Sequence, residues 1–257
     1  MWVKVLKEFF WLWWDNLSKN ILVSILGFLA NLPTLFFTMG LFVFMKIPFD
    51  VTPTQSEINL FWMVMSVLFG LSIFFPVQLG LLYVVKNFSL GGHKKFFSEF
   101  FEGVKLTIGR SLITMLLSAF LYFVGVFAII FYSTFFGLTN IIGVVLSVIT
   151  FWYLVIFTLF FVVLSLYIVF FPKDSLKTSI QRSWIIMMDN IIIVFLTSFT
   201  VVPIFIFSFV SAIGMILLYQ GLVNSLLVAM FVVILRKYKV VEDIEDTRTI
   251  RDVFRPF

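Results

Sequence analysis

The side chains that could do chemistry inside this chain are amides and hydroxyls, because its long apolar runs lack charged residues. No Asp, Glu, Lys, Arg or His occurs in 20–45, 58–85, 111–172 or 190–235. Proton relays, carboxylate ion sites and voltage sensors within a membrane are built from such residues. Asn31 beside Pro33, and Gln78 beside Pro76, are the candidates for lining an intramembrane cavity at broken helices. Interhelical hydrogen bonding is the alternative explanation for these amides.

The polar intervals between the runs contain few groups suited to catalysis or metal binding. His93 is the single histidine and cysteine is absent, so a His/Cys metal site has no second ligand. Glu99 and Glu102 are three residues apart, but Lys95 and Lys105 nearby favour local ion pairs. No phosphate-binding, zinc-protease or nucleophile-elbow motif occurs. We predict a protein with no catalytic residue, metal or cofactor; an enzyme using only loop charges is the alternative.

Composition indicates that the bilayer is the main solvent of this chain. Hydrophobic residues make up 62% and charged residues 12% of 257 positions, against about 25% charged residues in soluble domains. A soluble fold could not bury that much apolar surface. The net charge of +5 is explained by orientation signals in loops, so nucleic acid is not an expected partner.

The uncharged runs predict an all-α, polytopic membrane protein with six transmembrane helices in a single membrane domain. About 20 apolar residues cross the hydrocarbon core, so the two longest runs each hold two spans. The second span is long enough to tilt, or to break at Gly70 or Pro76. A turn is expected near 137–143 in one run and near 214–224 in the other. The predicted spans are 21–45, 58–85, 111–133, 142–171, 190–213 and 217–235.

Three polar intervals have helical periodicity and predict amphipathic helices at the membrane surface, over 1–19, 94–108 and 174–188. In the second of them, Gly109 marks the expected end. A charged tail follows over 236–257. The aromatic and aliphatic side chains on one face of the second helix are Phe96, Phe97, Phe100, Phe101, Val104 and Ile108.

Basic residues alternate between the two sides of the six spans. One side carries 17 of the 18 Lys and Arg residues and the other carries Lys46 alone. The positive-inside rule therefore predicts that both termini are cytoplasmic. The basic side also supplies a candidate docking surface, with a tail that docks on a partner, folds back or frays. Its residues are Lys94, Lys95, Glu99, Glu102, Lys105, Arg110, Lys177, Arg182, Arg251, Phe254, Arg255 and Phe257.

A threefold repeat is a further hypothesis from the spacing of these elements. Each surface helix is followed by a polar residue, Asn20, Arg110 or Asn190, and then by a pair of spans. Three units would each consist of an interfacial helix and a transmembrane αα-hairpin. Alternating basic loops in any protein with an even number of spans explain the same pattern.

Two stretches resemble the YesL-like family of bacterial integral membrane proteins of unknown function. They are PVQLGLLYVVKN followed by a glycine turn and KKFFSEFFEGVKLTIGRSL, and the closing RDVFRPF. The interval between Pro33 and Pro76 is longer than in the family pattern. The resemblance implies a bacterial cytoplasmic membrane location and an accessory role in carbohydrate uptake, and it brings no catalytic residues.

Two functions follow from these observations. The first is a non-enzymatic accessory or scaffold subunit that binds a sugar-importer complex or another membrane protein. The alternative is a small transporter or permease with an uncharged cavity around Asn31, Pro33, Pro76 and Gln78. A continuous water-filled cavity across the midplane would favour transport, and solidly packed spans would favour the accessory role.

Overall fold

The computed structural model describes residues 1–44, 54–91, 95–136, 140–210 and 212–241. Those residues form helices and no strand, and six helical stretches are long and apolar enough to cross a membrane. The all-α fold with six transmembrane helices is therefore confirmed. The helices are α1 (Trp2–Asp15), α2 (Leu17–Phe44), α3 (Gln55–Ile73), α4 (Pro76–Ser89), α5 (Phe96–Phe135), α6 (Ile141–Phe170), α7 (Leu176–Asp189), α8 (Ile191–Val210), α9 (Ala212–Gly214) and α10 (Gln220–Lys237).

The second span is broken where the sequence allowed a break, at Pro76. Helix α3 ends at Ile73 and α4 begins with Pro76 as its first residue. Proline disfavours helical geometry in the residue before it and suits the first helical position, where its missing N–H is not needed. Gly70 does not break α3; it lets the α5 backbone approach closely.

Helix α5 corrects the predicted boundary between the surface helix 94–108 and the span 111–133. The helix is continuous for 40 residues and passes through Gly109 and Arg110. A glycine inside a helix is only mildly unfavourable, and packing along α3 and α4 outweighs that cost. The predicted apolar face is also divided: Phe100 packs against the core, whereas Phe97 is 55% and Phe101 is 65% exposed.

Helix α1 packs against α10, and the position of residues 1–19 along the membrane surface stays a prediction. Glu8 pairs with Arg236, and Asn20 pairs with Ser225. The two pairs are twelve residues apart on α1–α2 and eleven residues apart on α10. Nearly equal intervals are expected for antiparallel helices, because both rise by the same distance per residue. The buried side chains Val5, Trp11 and Leu12 explain why α1 packs on α10, because they need an apolar partner.

Asparagine separates a short helix from a span at two places in the chain. Asn16 ends α1 and donates from Nδ2 to the Leu12 carbonyl at 3.1 Å. Asn190 ends α7 and donates from Nδ2 to the Ile186 carbonyl at 2.9 Å. Because α5 has no such junction, the likeness concerns the first and third predicted units. The threefold repeat itself stays a prediction.

The last span contains Gln220 and Asn224, which lie where the predicted turn at 214–224 overlaps the predicted span 217–235. The stretches Ala212–Gly214, Met215–Tyr219 and Gln220–Lys237 follow one another without a gap, and the middle one is π-helical. The Phe205 and Tyr219 rings lie 5.6 Å apart, so the chain reverses its direction between these two residues. The predicted turn at 214–224 is wrong, because these residues are helical.

Helix α10 is the centre of the fold. It contacts α1, α2, α4, α6 and α8, and Leu226–Leu235 are buried except for the half-buried Leu227. The second half of α6 and most of α4 complete this core. The opposite ends of α2, α5 and α6 expose aliphatic and aromatic side chains, as lipid-facing surfaces do.

The α3–α5 contact makes a testable prediction at Gly70. A Cβ there would lie 2.6 Å from the Ala119 Cα, which belongs to backbone and cannot move aside. We expect Gly70→Ala to lower the free energy of unfolding by about 1–3 kcal/mol, the usual cost of overpacking. Reversible unfolding in mixed micelles measures the difference.

Gly109→Ala is the matched control. Nothing lies within 4 Å of the Cβ position at Gly109, and the helix continues through it. We expect a gain of about 0.5–1 kcal/mol because alanine is the better helix residue. Destabilisation by Gly109→Ala would contradict the continuous α5.

Candidate functional site

Three amides meet on the central helix and include one predicted site residue, Gln78. Gln78 Nε2 donates to Asn224 Oδ1 at 3.1 Å, and Gln220 Nε2 donates to the same oxygen at 3.0 Å. Asn224 is fully buried and Gln220 is 8% exposed. The amide cluster, as we call Gln78, Gln220 and Asn224, joins the broken second span to the last span.

Helix α2 joins the other side of α10 through a polar seam. The Gly221 N–H donates to Ser24 Oγ at 2.7 Å, and Ser225 Oγ donates to Asn20 Oδ1 at 3.0 Å. A Cβ on Gly27 would lie 2.4 Å from Gln220 Cγ, so this glycine makes room for the amide cluster. The preceding π-helical turn is a geometry often found at functional sites.

Asn31 and Pro33 do not join the amide cluster. Asn31 Nδ2 donates to the Gly27 carbonyl of its own helix at 2.8 Å, and Pro33 is exposed. The four residues predicted to line one cavity are thus divided between α2 and α4. Among these four residues, and within the described ranges, only Gln78 forms a hydrogen bond to another helix. Interhelical hydrogen bonding was the alternative explanation for the two amides in the sequence.

Sequence reasoning missed Asn20, Ser24, Gln220, Asn224 and Ser225. One signal was available: Gln220 and Asn224 are four residues apart, so they share a face of any helix that contains both. The predicted turn at 214–224 overlaps the start of the last predicted span, and that overlap concealed the signal. Their partners on α2 and α4 are distant in sequence, and only the fold brings them together.

Arg110, predicted to dock a partner, is occupied by its own chain. Its guanidinium donates to the carbonyls of Pro172 at 2.6 Å, Asp174 at 3.0 Å and Phe171 at 3.1 Å, and more weakly to Ile168 at 3.5 Å. The last carbonyls of a helix have no helical partner and carry its negative dipole end. Arg110 therefore caps the end of α6.

The acidic residues of the predicted docking surface are also drawn towards the core. Glu99 is buried, and Glu102 accepts a hydrogen bond from the Tyr83 hydroxyl at 3.3 Å. Lys86, close to Glu102, reaches the Val169 carbonyl at 3.5 Å. These contacts fix the end of α4 against α5 and α6.

Four basic predicted residues remain exposed: Lys95, Lys105, Lys177 and Arg182. Arg182 pairs with Asp174 at 3.2 Å but keeps 60% of its side chain exposed. Lys94, Arg251, Phe254, Arg255 and Phe257 lie outside the described residues. The exposed part of the docking surface is therefore basic.

Two ion pairs hold the end of α10 at what we call the charged end of the bundle. Glu8 and Arg236 form two contacts, at 2.7 and 3.2 Å. Asp189 pairs with Lys237 at 2.8 Å and accepts from the Tyr238 hydroxyl. The Lys237 hydrogen bond, followed by that of Tyr238, holds the pKa of Asp189 below its usual value. Helices α1 and α7 are thereby tied to the same end of α10.

The described ranges contain no group of three or more acidic or histidine side chains that could hold a metal ion. Comparison of the chain with family models, curated proteins and solved structures finds no match.

Arg110→Lys tests the cap on α6. Lysine has three donors on a compact head and cannot reproduce the planar guanidinium fork. We expect a loss of about 1.5–3 kcal/mol in the free energy of unfolding, the range for hydrogen bonds to charged groups. The exposed neighbour Lys105→Met should change it by less than about 0.5 kcal/mol. Equal effects of the two substitutions would contradict the cap.

The two ion pairs of α10 should differ in strength. The side chains of Glu8 and Arg236 are 21% and 16% exposed, against 51% and 40% for Asp189 and Lys237. We expect Glu8→Gln to cost about 1.5–3 kcal/mol and Lys237→Met at most about 1 kcal/mol. Unfolding at low and high salt measures both, and salt should weaken the exposed pair more.

Proposed function

We propose that this protein is a non-enzymatic accessory or scaffold subunit of the bacterial cytoplasmic membrane that serves carbohydrate uptake. The supporting observation is the enclosure of α10: five helices contact it, and its side chains from Leu226 to Leu235 are buried apart from Leu227. A permease needs a water-filled route past its central helices. A helix packed on all sides suits a rigid platform better.

Direct contacts replace water at polar positions of the core. Gln78 bonds to Asn224 without an intervening group, and Tyr122 and Thr158 hydroxyls lie 2.7 Å apart. Ser118 Oγ donates to the Gly70 carbonyl at 2.6 Å. Each contact satisfies a polar group that would otherwise need water or a ligand in the bilayer.

The exposed lysines on the basic side of the spans support a docking role. Lys105 and Lys177 are exposed, whereas Arg110, Arg236 and Lys86 are engaged within the protein. Exposed basic side chains are available to an acidic partner surface. Their concentration on one side of the spans supports a cytoplasmic position for both termini.

We include carbohydrate uptake in the proposal because PVQLGLLYVVKN and RDVFRPF resemble the YesL-like family. That resemblance suggests the kind of complex to look for, a sugar importer.

The broken second span, with Gln78 and Asn224 at the break, favours the second candidate, a small transporter with an uncharged site. The two functions differ in whether the protein moves solute without a partner.

Affinity purification from native membranes tests the proposal. We expect the tagged protein, extracted in mild detergent, to retain a second membrane protein or importer subunit. Charge reversal at Lys105→Glu with Lys177→Glu should remove most of that partner while leaving the unfolding transition unchanged, because both side chains are exposed.

Lys46→Glu is the matched control, since Lys46 is the single basic residue predicted on the opposite side. It should leave the partner bound. A protein purified alone that catalyses sugar uptake into liposomes would contradict the accessory role and support the transporter.

A further inference from the structure

One face of α1 is exposed, although apolar and aromatic side chains make up most of it. The residues of this face lie at helical spacings of four and three, and they are Val3, Lys7, Phe10 and Trp14. Val3 is 74% and Trp14 is 43% exposed, Lys7 is exposed, and Phe10 is half-buried. The opposite side of the helix is buried against α10. An exposed face of this composition needs an environment that accepts both apolar and charged groups.

The exposed face of α1 continues into the exposed apolar surface of α2. Leu17, the first residue of α2, follows Trp14 by three residues and is 37% exposed, and Leu22 and Leu29 are exposed farther along. These leucines belong to a stretch that is long and apolar enough to cross a membrane. The Phe10 and Trp14 rings are stacked 6.1 Å apart just before that stretch. Aromatic rings in this position are typical of the boundary between hydrocarbon and headgroups.

Positive charge follows the aromatic pair along α1, towards the beginning of the helix. Lys4 and Lys7 are both exposed. Glu8 is the one acidic residue among the first fourteen, and it is directed to Arg236, at 2.7 Å. Asp15 lies eight residues after Lys7, which is about 12 Å along a helix. The beginning of α1 therefore presents exposed positive charge beside an aromatic and apolar surface.

We propose that this face of α1 binds an anionic phospholipid, with Lys4 and Lys7 at the phosphate and the rings of Phe10 and Trp14 at the start of the acyl chains. Each lysine near a membrane surface increases the affinity for anionic lipid about fivefold. A zwitterionic headgroup gains less, because it carries a compensating positive charge. Lipid fits this face better than a protein partner does, because the face is continuous with the exposed leucines of α2. The inference goes beyond the accessory function and does not depend on it.

Site-specific fluorescence quenching in liposomes tests this lipid site. The chain has no cysteine, so the purified full-length Leu17→Cys variant carries one fluorophore beside α1. Its vesicles of phosphatidylcholine receive increasing amounts of phosphatidylglycerol or phosphatidylcholine with a nitroxide near the start of one acyl chain. We expect phosphatidylglycerol to quench at about tenfold lower mole fraction. Lys4→Gln combined with Lys7→Gln should reduce that preference to less than about twofold, and about 1 M salt should reduce it without either substitution, by screening.

Lys173→Gln is the matched control, because Lys173 is exposed beyond the end of α6, and it should leave the preference unchanged. Equal quenching by the two lipids would overturn the site, as would a preference that the two lysine substitutions or high salt leave intact. An equal loss with Lys173→Gln would indicate a general charge effect and would also overturn it. Quenching by neither lipid would mean that protein covers this face, which contradicts the lipid site. The salt comparison needs no lysine substitution, so it decides even if the double variant does not fold.

Discussion

Hydrocarbon offers no hydrogen bonds, so every polar group of this protein at membrane depth must find its partner within the chain. The fold provides such partners at three places where its helices end or break. Arg110 takes the free carbonyls at the end of α6, and Ser111 takes the Phe74 carbonyl beside the break at Pro76. Ser24 takes the N–H of Gly221 where the π-helical turn interrupts regular bonding. These contacts decide which helices are neighbours, because each one ties an irregular backbone site to another helix.

The same requirement explains why the sequence predicted some features and not others. Six spans follow from uncharged runs, and the break at Pro76 follows from the geometry of proline. The continuity of α5 through Gly109 could not be read locally, because packing along α3 and α4 outweighs a weak helix former. The pairing of Gln78 with Asn224 joins residues far apart in sequence, and α1 aligns with α10 through Glu8 and Arg236. Such partners are set by tertiary structure.

The proposed accessory function rests on how the chain divides its basic residues. Arg110 and Arg236 stabilise the fold, whereas Lys105 and Lys177 stay exposed at its surface. An enclosed α10 and a basic, exposed surface together support the proposed role as a platform.

Water accessibility along α10 tests most directly whether the protein is a closed platform. The chain contains no cysteine, so a single introduced cysteine can be labelled without background. Ala229 is fully buried on α10, so Ala229→Cys in intact membranes should resist a water-soluble thiol reagent while Lys177→Cys reacts on opened membranes. Protection of Ala229→Cys at the level of a buried site agrees with a closed platform. Labelling of Ala229→Cys as fast as Lys177→Cys would mean that water lines the central helix, and it would contradict the platform in favour of a transporter.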